Sequence, residues 1–268
     1  YNKKYDVITT LHVKDSKRYV KFIKYNKKYL VGADKFSYIS KNPYNCNTRH
    51  ITEEKYPFTK EDVINYLKNY IPDYRWGWYY QQLLKLYLFK IGITDKEYCL
   101  VFDSDILLLK KLYIFNKNIP YMFKRNTDNK GVHKPYLLCQ QYIFPNLEFN
   151  QKNSGICHFM LFKKSLINKF LDEIKKIHKK PPWKAILDGV INYVKKYSYT
   201  DSILSEYEIY YNFIRKLKIY KKNNELQYKD ISYNKFDITN KENLNFIADH
   251  HYQSRGNDDY KKDNLMEL

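Results

Sequence analysis

An apolar strand that ends in two carboxylates is the feature that most constrains how this chain folds. The run from Tyr98 to Phe102 is apolar throughout, and Asp103-Ser104-Asp105 follows it directly. Such a run is typical of a strand that is buried on both faces, as strands of parallel sheets are when helices cover them. We therefore predict a layered α/β fold with Asp103 at the carboxyl end of an interior strand.

Segments typical of strands and helices alternate along the chain. β-Branched residues mark strands, whereas apolar residues three or four apart mark helices. The alternation predicts a mostly parallel central sheet with right-handed crossovers. The predicted strands are residues 6–13, 36–40, 98–102 and 156–162, and the predicted helices are about 19–30, 59–67, 78–90, 166–177, 182–194 and 205–217.

The chain is strongly basic, with a formal net charge of +19 over 268 residues. Only six of its 48 basic residues are Arg, and its many Lys, Tyr, Asn and Ile codons are A+T-rich, so genome composition accounts for much of the bias. Proteins that read nucleic acids favour Arg, because its planar guanidinium makes bidentate contacts. We therefore expect no nucleic-acid partner, although a positive field would attract a phosphorylated ligand or an acidic acceptor.

The cysteines and the apolar runs restrict the cellular setting. The four cysteines form no CxxC pair, so we predict no zinc site. Cys99 and Cys157 lie in apolar, strand-like runs and are expected to be reduced core residues. No apolar run approaches the roughly 18 residues of a membrane-spanning helix. We therefore expect no membrane span and a reducing, cytoplasmic compartment.

The Asp-Ser-Asp triplet is the strongest candidate for a metal site. Side chains alternate along a strand, so Asp103 and Asp105 are expected to project to the same side. Two carboxylates there repel each other unless a cation lies between them, and Mg²⁺ or Mn²⁺ binds carboxylate and phosphate oxygens together. Ligands of open α/β sheets also bind beyond the carboxyl ends of the strands. The alternative is a solvated turn, because isolated DxD triplets are common in loops.

The helix before this strand carries a second group of polar side chains. Arg75, Gln82 and Lys85 are seven and three residues apart, which places them on one helix face with Trp78 between them. A cation and an amide on this face would reach the pyrophosphate or the nucleobase of a nucleotide that is bound near the metal. The alternative is that these residues form a polar stripe exposed to solvent. For Lys85 taken alone, this alternative is the preferred interpretation.

Histidines provide further candidates. The alternation predicts that His158 shares one strand face with Met160 and Phe162. A histidine in such a place is more often a hydrogen-bonded core residue than a functional one. His250 and His251 follow a short apolar segment near the end of the chain, where they are either solvated or a further metal ligand.

The segment from Ser205 to Glu208 has the pattern of a helix start. Ser205 as N-cap and Glu208 three residues later fit a capping box, which explains Glu208 without a function. Glu206 at the first helical position is favourable to the helix dipole. As a general base it would need an active-site position, which spacing alone does not establish.

Four blocks of the sequence resemble a group of bacterial and viral proteins that are classed with GT-A glycosyltransferases. The most specific are RWGWYYQQLLKL at residues 75–86 and VFDSD at residues 101–105. CHFMLF at residues 157–162 and SEYEIY at residues 205–210 are similar to later blocks. The likeness spans about residues 6–255.

This resemblance implies a Rossmann-like GT-A fold, which is α/β with a mostly parallel central sheet flanked by helices. It also implies transfer of a sugar from a nucleotide-diphosphate donor, with a UDP-sugar favoured, to a glycan, protein or lipid acceptor. One domain is expected over residues 1–255, with a nucleotide-binding half at about 1–115 and an acceptor-side half at about 116–255. Residues 256–268 are expected to be a charged tail.

The resemblance further implies a metal and donor site. Asp103 and Asp105 would bind Mn²⁺ or Mg²⁺ bridging the donor diphosphate, and His250 or His251 would complete the metal site. The residues expected to contact the nucleotide sugar are Thr10, Leu11, His12, Arg75, Gln82, Lys85, Ser104 and Arg255.

On the acceptor side, the resemblance implies three residues. Glu206 would be the catalytic base of an inverting enzyme, and His158 and Tyr207 would lie near the acceptor. No Glu-Asp pair occurs at this position, so the base and the stereochemistry remain open at this stage.

Two other functions fit part of the same features. A metal-dependent nuclease or nucleotidyltransferase would also combine paired carboxylates with a basic surface, and it would act on nucleic acid while ignoring nucleotide sugars. A non-catalytic module for acidic polymers would bind through Lys charge and lose affinity steeply with salt. Its binding would survive Asp103→Ala.

Overall fold

Helices and strands alternate through the part of the chain that the computed structural model describes, which is residues 3–126, 132–222, 226–230 and 243–249. No helix in these ranges is both long and apolar enough to cross a bilayer. The helices are α1 (Ser16–Tyr29), α2 (Lys60–Leu67), α3 (Asp73–Tyr87), α4 (Lys134–Ile143), α5 (Lys164–His178), α6 (Pro182–Tyr197) and α7 (Glu206–Ile214), with 3₁₀ helices at Val13–Asp15 and Glu53–Lys55. The strands are β1 (Tyr5–Thr10), β2 (Leu30–Val31), β3 (Ala33–Ser40), β4 (Arg49–Thr52), β5 (Tyr98–Phe102), β6 (Ile106–Leu108), β7 (Leu112–Tyr113), β8 (Phe115–Asn116), β9 (Ile119–Met122), β10 (Arg125–Asn126), β11 (Asn153–Ser154), β12 (Phe159–Lys163), β13 (Lys221–Lys222), β14 (Tyr228–Asp230) and β15 (Phe246–Ala248).

The central sheet has five strands in the order β12-β5-β1-β3-β4. β5, β1, β3 and β4 are parallel, which confirms the predicted α/β fold with a mostly parallel sheet flanked by helices. β12 departs from the parallel pattern. Its first residue, Phe159, pairs with the last residue of β5, Phe102, so the chain enters this edge strand at the carboxyl end of β5 and runs antiparallel.

Strand β5 lies between two hydrophobic cores. Cys99 and Val101 pack into a core that includes residues of helices α2 to α7. Leu100 and Phe102 point the other way, into a core with residues of β6, β8 and β15. Since successive side chains of a strand alternate between faces, burial on both sides requires a continuous apolar run. The structure therefore confirms β5 as an interior strand, and it places Asp103 at the carboxyl end.

Two predicted boundaries are displaced in ways that affect the site. α3 begins at Asp73 rather than at residue 78, so Arg75 lies inside the helix. β12 begins only at Phe159, because His158 has left-handed backbone geometry with φ of +62°. This geometry breaks the alternation of an extended strand. The prediction that His158 shares a strand face with Met160 and Phe162 is therefore wrong.

Candidate active site

The carboxyl ends of β1 and β5 border a cavity of about 540 Å³. Thr10 is the last residue of β1, and Asp103 directly follows β5. This is the edge of an α/β sheet where ligands bind. The cavity is lined by Thr10, Asp15, Arg18, Arg75, Trp78, Gln81, Gln82, Lys85, Asp103, Ser104, Asp105, Arg125, Tyr136, Ile156, His158, Ser202, Ser205, Glu206, Tyr207 and Asp230.

A cluster of four side chains occupies the centre of this lining. The Lys85 ammonium donates to Asp103 Oδ1 and to Glu206 Oε1, both at 2.7 Å. The Tyr207 hydroxyl donates to the same Asp103 oxygen at 2.7 Å and accepts from Lys85 at 3.3 Å. Lys85 is only 3% exposed, so its charge is directed at these partners rather than at water.

Burial and charge set the protonation of this cluster. Burial lowers the pKa of Lys85, but the negative charges of Asp103 and Glu206 outweigh it and raise the pKa above its usual range, so the ammonium persists. Burial raises the pKa of Glu206, and the Lys85 charge opposes this shift. Burial, followed by the Asp103 charge, raises the pKa of Tyr207 well above its usual range, so its hydroxyl remains a hydrogen-bond donor.

Helix α3 brings its polar face against the start of α7. Arg75, Trp78, Gln82 and Lys85 all line the cavity, as their helical spacing predicts for one face. Gln82 Oε1 accepts from the backbone N–H of Glu206 at 3.0 Å. The first N–H groups of a helix have no partner within it, so this amide completes the start of α7 and holds Glu206 in place.

Backbone contacts fix the turn that carries the two aspartates. The Asp103 N–H donates to His158 O at 3.0 Å, and Asp105 O accepts from the Asp249 N–H at 2.9 Å. The His158 ring lies with Nδ1 at 3.9 Å from Asp103 Oδ2 and Nε2 at 3.2 Å from Asp230 Oδ1. His158 thus joins the turn after β5 to the end of β14.

The oxygen ligands available at this turn suit a hard divalent ion that also takes ligands from a bound substrate. Within the described ranges no group of three or more His, Cys, Asp or Glu side chains is arranged to hold a metal by itself. Mg²⁺ commonly takes only one or two protein carboxylates and completes its shell with water and substrate phosphates. Asp103 and Asp105 line the same cavity and supply two such carboxylates.

The other candidates divide into three groups. Ser104, His158 and Tyr207 line the cavity with the residues above. Leu11 and His12 are not among the lining residues: Leu11 packs into a small core with Tyr19, Ile23 and Tyr38, and His12 is exposed and caps the 3₁₀ helix after β1. His250, His251 and Arg255 lie outside the described residues.

Several residues that line the cavity are not among those predicted from the sequence. Asp15 and Arg18 form an ion pair at 2.5 Å on the segment after β1, and Arg18 also binds the backbone carbonyl of Asp249. The rule that ligands bind beyond the carboxyl ends of strands would have indicated these two. Arg125 and Asp230 reach the cavity from short strands that no periodicity indicated.

Glu208 takes a different place from the one predicted. Ser205 caps α7 through the N–H of Glu208, but the Glu208 side chain accepts from the Ser154 hydroxyl at 2.5 Å and the Gly155 N–H at 3.0 Å. The reciprocal half of the predicted capping box, from the Ser205 N–H to the Glu208 carboxylate, is therefore absent, because both oxygens of this carboxylate already accept from Ser154, Gly155 and Asn212. Burial raises the pKa of Glu208 to about 7.

Gly155 lets the loop before His158 lie directly on α7. A Cβ atom at this position would be 2.2 Å from Tyr211 Cβ and 2.9 Å from the Tyr207 carbonyl oxygen, a spacing that only glycine allows. Together with the Glu208 hydrogen bonds, this contact fixes the loop that carries Ile156 and His158 to the helix that carries Glu206 and Tyr207.

Comparison with known proteins adds little at the level of sequence. No protein-family model matches the chain, and no curated protein matches it in sequence. Among solved structures, the crystal structure of mouse xyloside xylosyltransferase 1 in its apo form is similar, with a TM-score of 0.46 and 7% identical residues. The similarity covers 94% of this chain and 99% of that chain. A likeness this distant assigns neither a family nor a function.

Glu208 should make the stability of the fold depend on pH. Its pKa rises from 4.5 in an exposed glutamate to about 7 in the folded state, so the folded chain binds this proton more tightly than the unfolded chain. Its contribution is fully present below about pH 4.5 and is lost as the pH rises through about 7. We expect the free energy of unfolding of wild type, relative to Glu208→Gln, to fall by up to about 3 kcal/mol across this range.

Urea unfolding at a series of pH values measures this difference. Glu54→Gln, at an exposed glutamate, is the matched control and should show no such trend. A constant gap between wild type and Glu208→Gln from pH 4.5 to 8 would contradict the prediction.

Proposed function

We propose that the chain is a metal-dependent glycosyltransferase of the GT-A type. It transfers a sugar from a nucleotide-diphosphate donor, with a UDP-sugar favoured, to an acceptor hydroxyl. The observation that carries the proposal is the convergence of Asp103, Lys85, Glu206 and Tyr207 in one cavity at the carboxyl end of β5. This arrangement supports the proposal because it would offer carboxylates for a metal, a proton acceptor and a hydrogen-bond donor to one bound substrate.

The donor side is formed by the turn after β5. Asp103 and Asp105 would hold Mg²⁺ or Mn²⁺, which when bound neutralises the charge of a leaving diphosphate. Ser104 offers a hydroxyl between them, and Thr10 contributes a second from the end of β1. The Lys85 ammonium is enclosed by its partners, which supports a role in orienting Asp103 and Glu206 more than direct contact with the pyrophosphate.

Glu206 is the proposed proton acceptor. Its carboxylate lines the cavity and is held at 2.7 Å by Lys85, whose charge favours the ionised form that accepts a proton. Burial acts in the other direction and raises its pKa, which makes it a stronger base than an exposed glutamate. Glu206 would remove the proton from the acceptor hydroxyl as the bond to the diphosphate breaks.

Donor binding should require a divalent ion held by Asp105. This residue is the sharper target because Asp103 also pairs with Lys85, whereas Asp105→Asn leaves the contacts of Lys85 intact. By calorimetry with UDP in Mn²⁺, we expect the variant to bind at least about tenfold more weakly than wild type, because a metal ligand is lost. Wild type in EDTA should lose binding in the same way.

The matched control is Asp95→Asn, at an exposed aspartate outside the cavity, which should bind UDP as wild type does. Equal UDP affinity in Mn²⁺ and EDTA would refute the metal bridge. Cleavage or extension of nucleic acid with Mg²⁺, with no response to a panel of nucleotide sugars, would favour the nuclease or nucleotidyltransferase instead.

Glu206→Gln should separate the chemical step from donor binding. Glutamine keeps an oxygen that accepts from Lys85 but cannot take a proton at neutral pH. Transfer from the nucleotide sugar should therefore fall at least about a hundredfold, while UDP affinity and the thermal midpoint stay near wild type. Turnover within a few-fold of wild type, measured with an acceptor that wild type uses, would show that Glu206 is not the base.

A further inference from the structure

The cavity has an aromatic end that the proposed donor chemistry does not use. Trp78 and Arg75 precede Lys85 on α3 by seven and ten residues, which is about 10 Å and 15 Å along the helix axis at about 1.5 Å per residue. Both line the cavity, as do Tyr136 of α4 and Ser202 of the segment before α7. Trp78 and Arg75 therefore lie about two to three helical turns from Lys85 along α3.

Contacts between these residues make the aromatic end one unit. The Arg75 guanidinium lies over the Trp78 ring, 5.5 Å from its centroid, and forms an ion pair with Asp201. The Trp78 ring also packs edge-on against Tyr79, with 5.0 Å between ring centroids. Tyr79 in turn donates its hydroxyl to Asp201 O at 3.0 Å. Trp78 is thus held by its neighbours while one part of it faces the cavity.

Tyr136 links the aromatic end of the cavity to the cluster of Lys85, Asp103, Glu206 and Tyr207. Burial raises the pKa of Tyr136 to about 12, a hydrogen bond with Ser202 opposes that shift, and the charge of Glu206 adds to it. The hydroxyl therefore stays protonated, and Tyr136 lines the same cavity as Ser202 and Glu206. A ligand at this end would present its nearest group toward the proposed proton acceptor.

The side chains at the aromatic end favour a neutral sugar over an anion or a hydrocarbon chain. The ion pair with Asp201 compensates the charge of Arg75, so the pair gives no net attraction to an anion. Aromatic rings carry a negative face, and the face of Trp78 that Arg75 does not cover would favour the slightly positive C–H bonds of a ring substrate. The hydroxyls of Tyr136 and Ser202 hydrogen-bond to each other and keep further donor and acceptor sites that a sugar hydroxyl could use and a hydrocarbon chain could not. A pyranose, with C–H groups on its faces and hydroxyls at its edge, satisfies both requirements.

We propose that Trp78, Tyr136 and Ser202 form a carbohydrate-binding subsite that holds the acceptor as a neutral sugar, with one hydroxyl directed at Glu206. The acceptor role rests on the proposed glycosyltransferase function. Binding of a sugar at this end does not, so the two can be tested apart.

The test is a binding titration of the whole chain with a panel of neutral methyl pyranosides, in which binding is detected by saturation-transfer NMR. At least one pyranoside should bind. Trp78→Ala should weaken it at least about tenfold, because the stacking ring is lost. Tyr136→Phe keeps the ring and the packing and should weaken it several-fold. Tyr113→Ala, at an exposed tyrosine outside the cavity, is the control and should bind as wild type does.

Manganese-dependent hydrolysis of UDP-sugars, measured on the same variants, separates the two proposals. The expected result is hydrolysis by wild type, with pyranoside binding that is weakened in Trp78→Ala and Tyr136→Phe and retained in Tyr113→Ala. Hydrolysis by wild type without binding of any pyranoside would overturn the subsite and leave the proposed function standing. Displacement of the bound pyranoside from wild type by uridine would make this end a nucleobase site and also overturn it. Pyranoside binding without hydrolysis of any donor would overturn the proposed function and the acceptor role, leaving only a sugar site.

Discussion

A buried ammonium group with two carboxylate partners holds the candidate site together. Lys85 lies within 2.7 Å of both Asp103 and Glu206, and it joins helix α3 to the turn after β5 and to the first turn of α7. A buried charge is tolerated only when it is paired, so loss of Lys85 would leave both carboxylates without their cationic partner. The geometry of the proposed metal-binding turn and that of the proposed base therefore depend on the same contact.

Helix α7 connects the contacts of Lys85 to the loop that carries His158. Glu206 and Glu208 are two residues apart, yet Glu206 faces Lys85 whereas Glu208 faces Ser154 and Gly155. Helix α7 is thus held on two sides. Glu206 forms an ion pair in the cavity, and the buried Glu208 carboxylate accepts hydrogen bonds on the other side. We expect the cavity wall to be rigid where Glu206, Tyr207 and His158 meet.

The sequence was most informative where a physical pattern repeats along the chain. Double burial of β5 is visible as an apolar run, and one face of α3 is visible in the spacing of Arg75, Gln82 and Lys85. The direction of β12 and the left-handed turn at His158 were missed, because they depend on how distant segments return to β5. Glu208 was misplaced for a similar reason: its donors, Ser154 and Gly155, are more than 50 residues away, and local capping rules cannot show them.

The central claim is that a divalent ion binds at Asp103 and Asp105 and receives a nucleotide diphosphate in the same cavity. Crystals grown with UDP and Mn²⁺, measured at the manganese absorption edge, test it most directly. The account predicts an anomalous peak in contact with carboxylate oxygens of Asp103 or Asp105 and with oxygens of both UDP phosphates. Bound UDP with no anomalous peak at this turn, or a peak and nucleotide elsewhere on the chain, would contradict it.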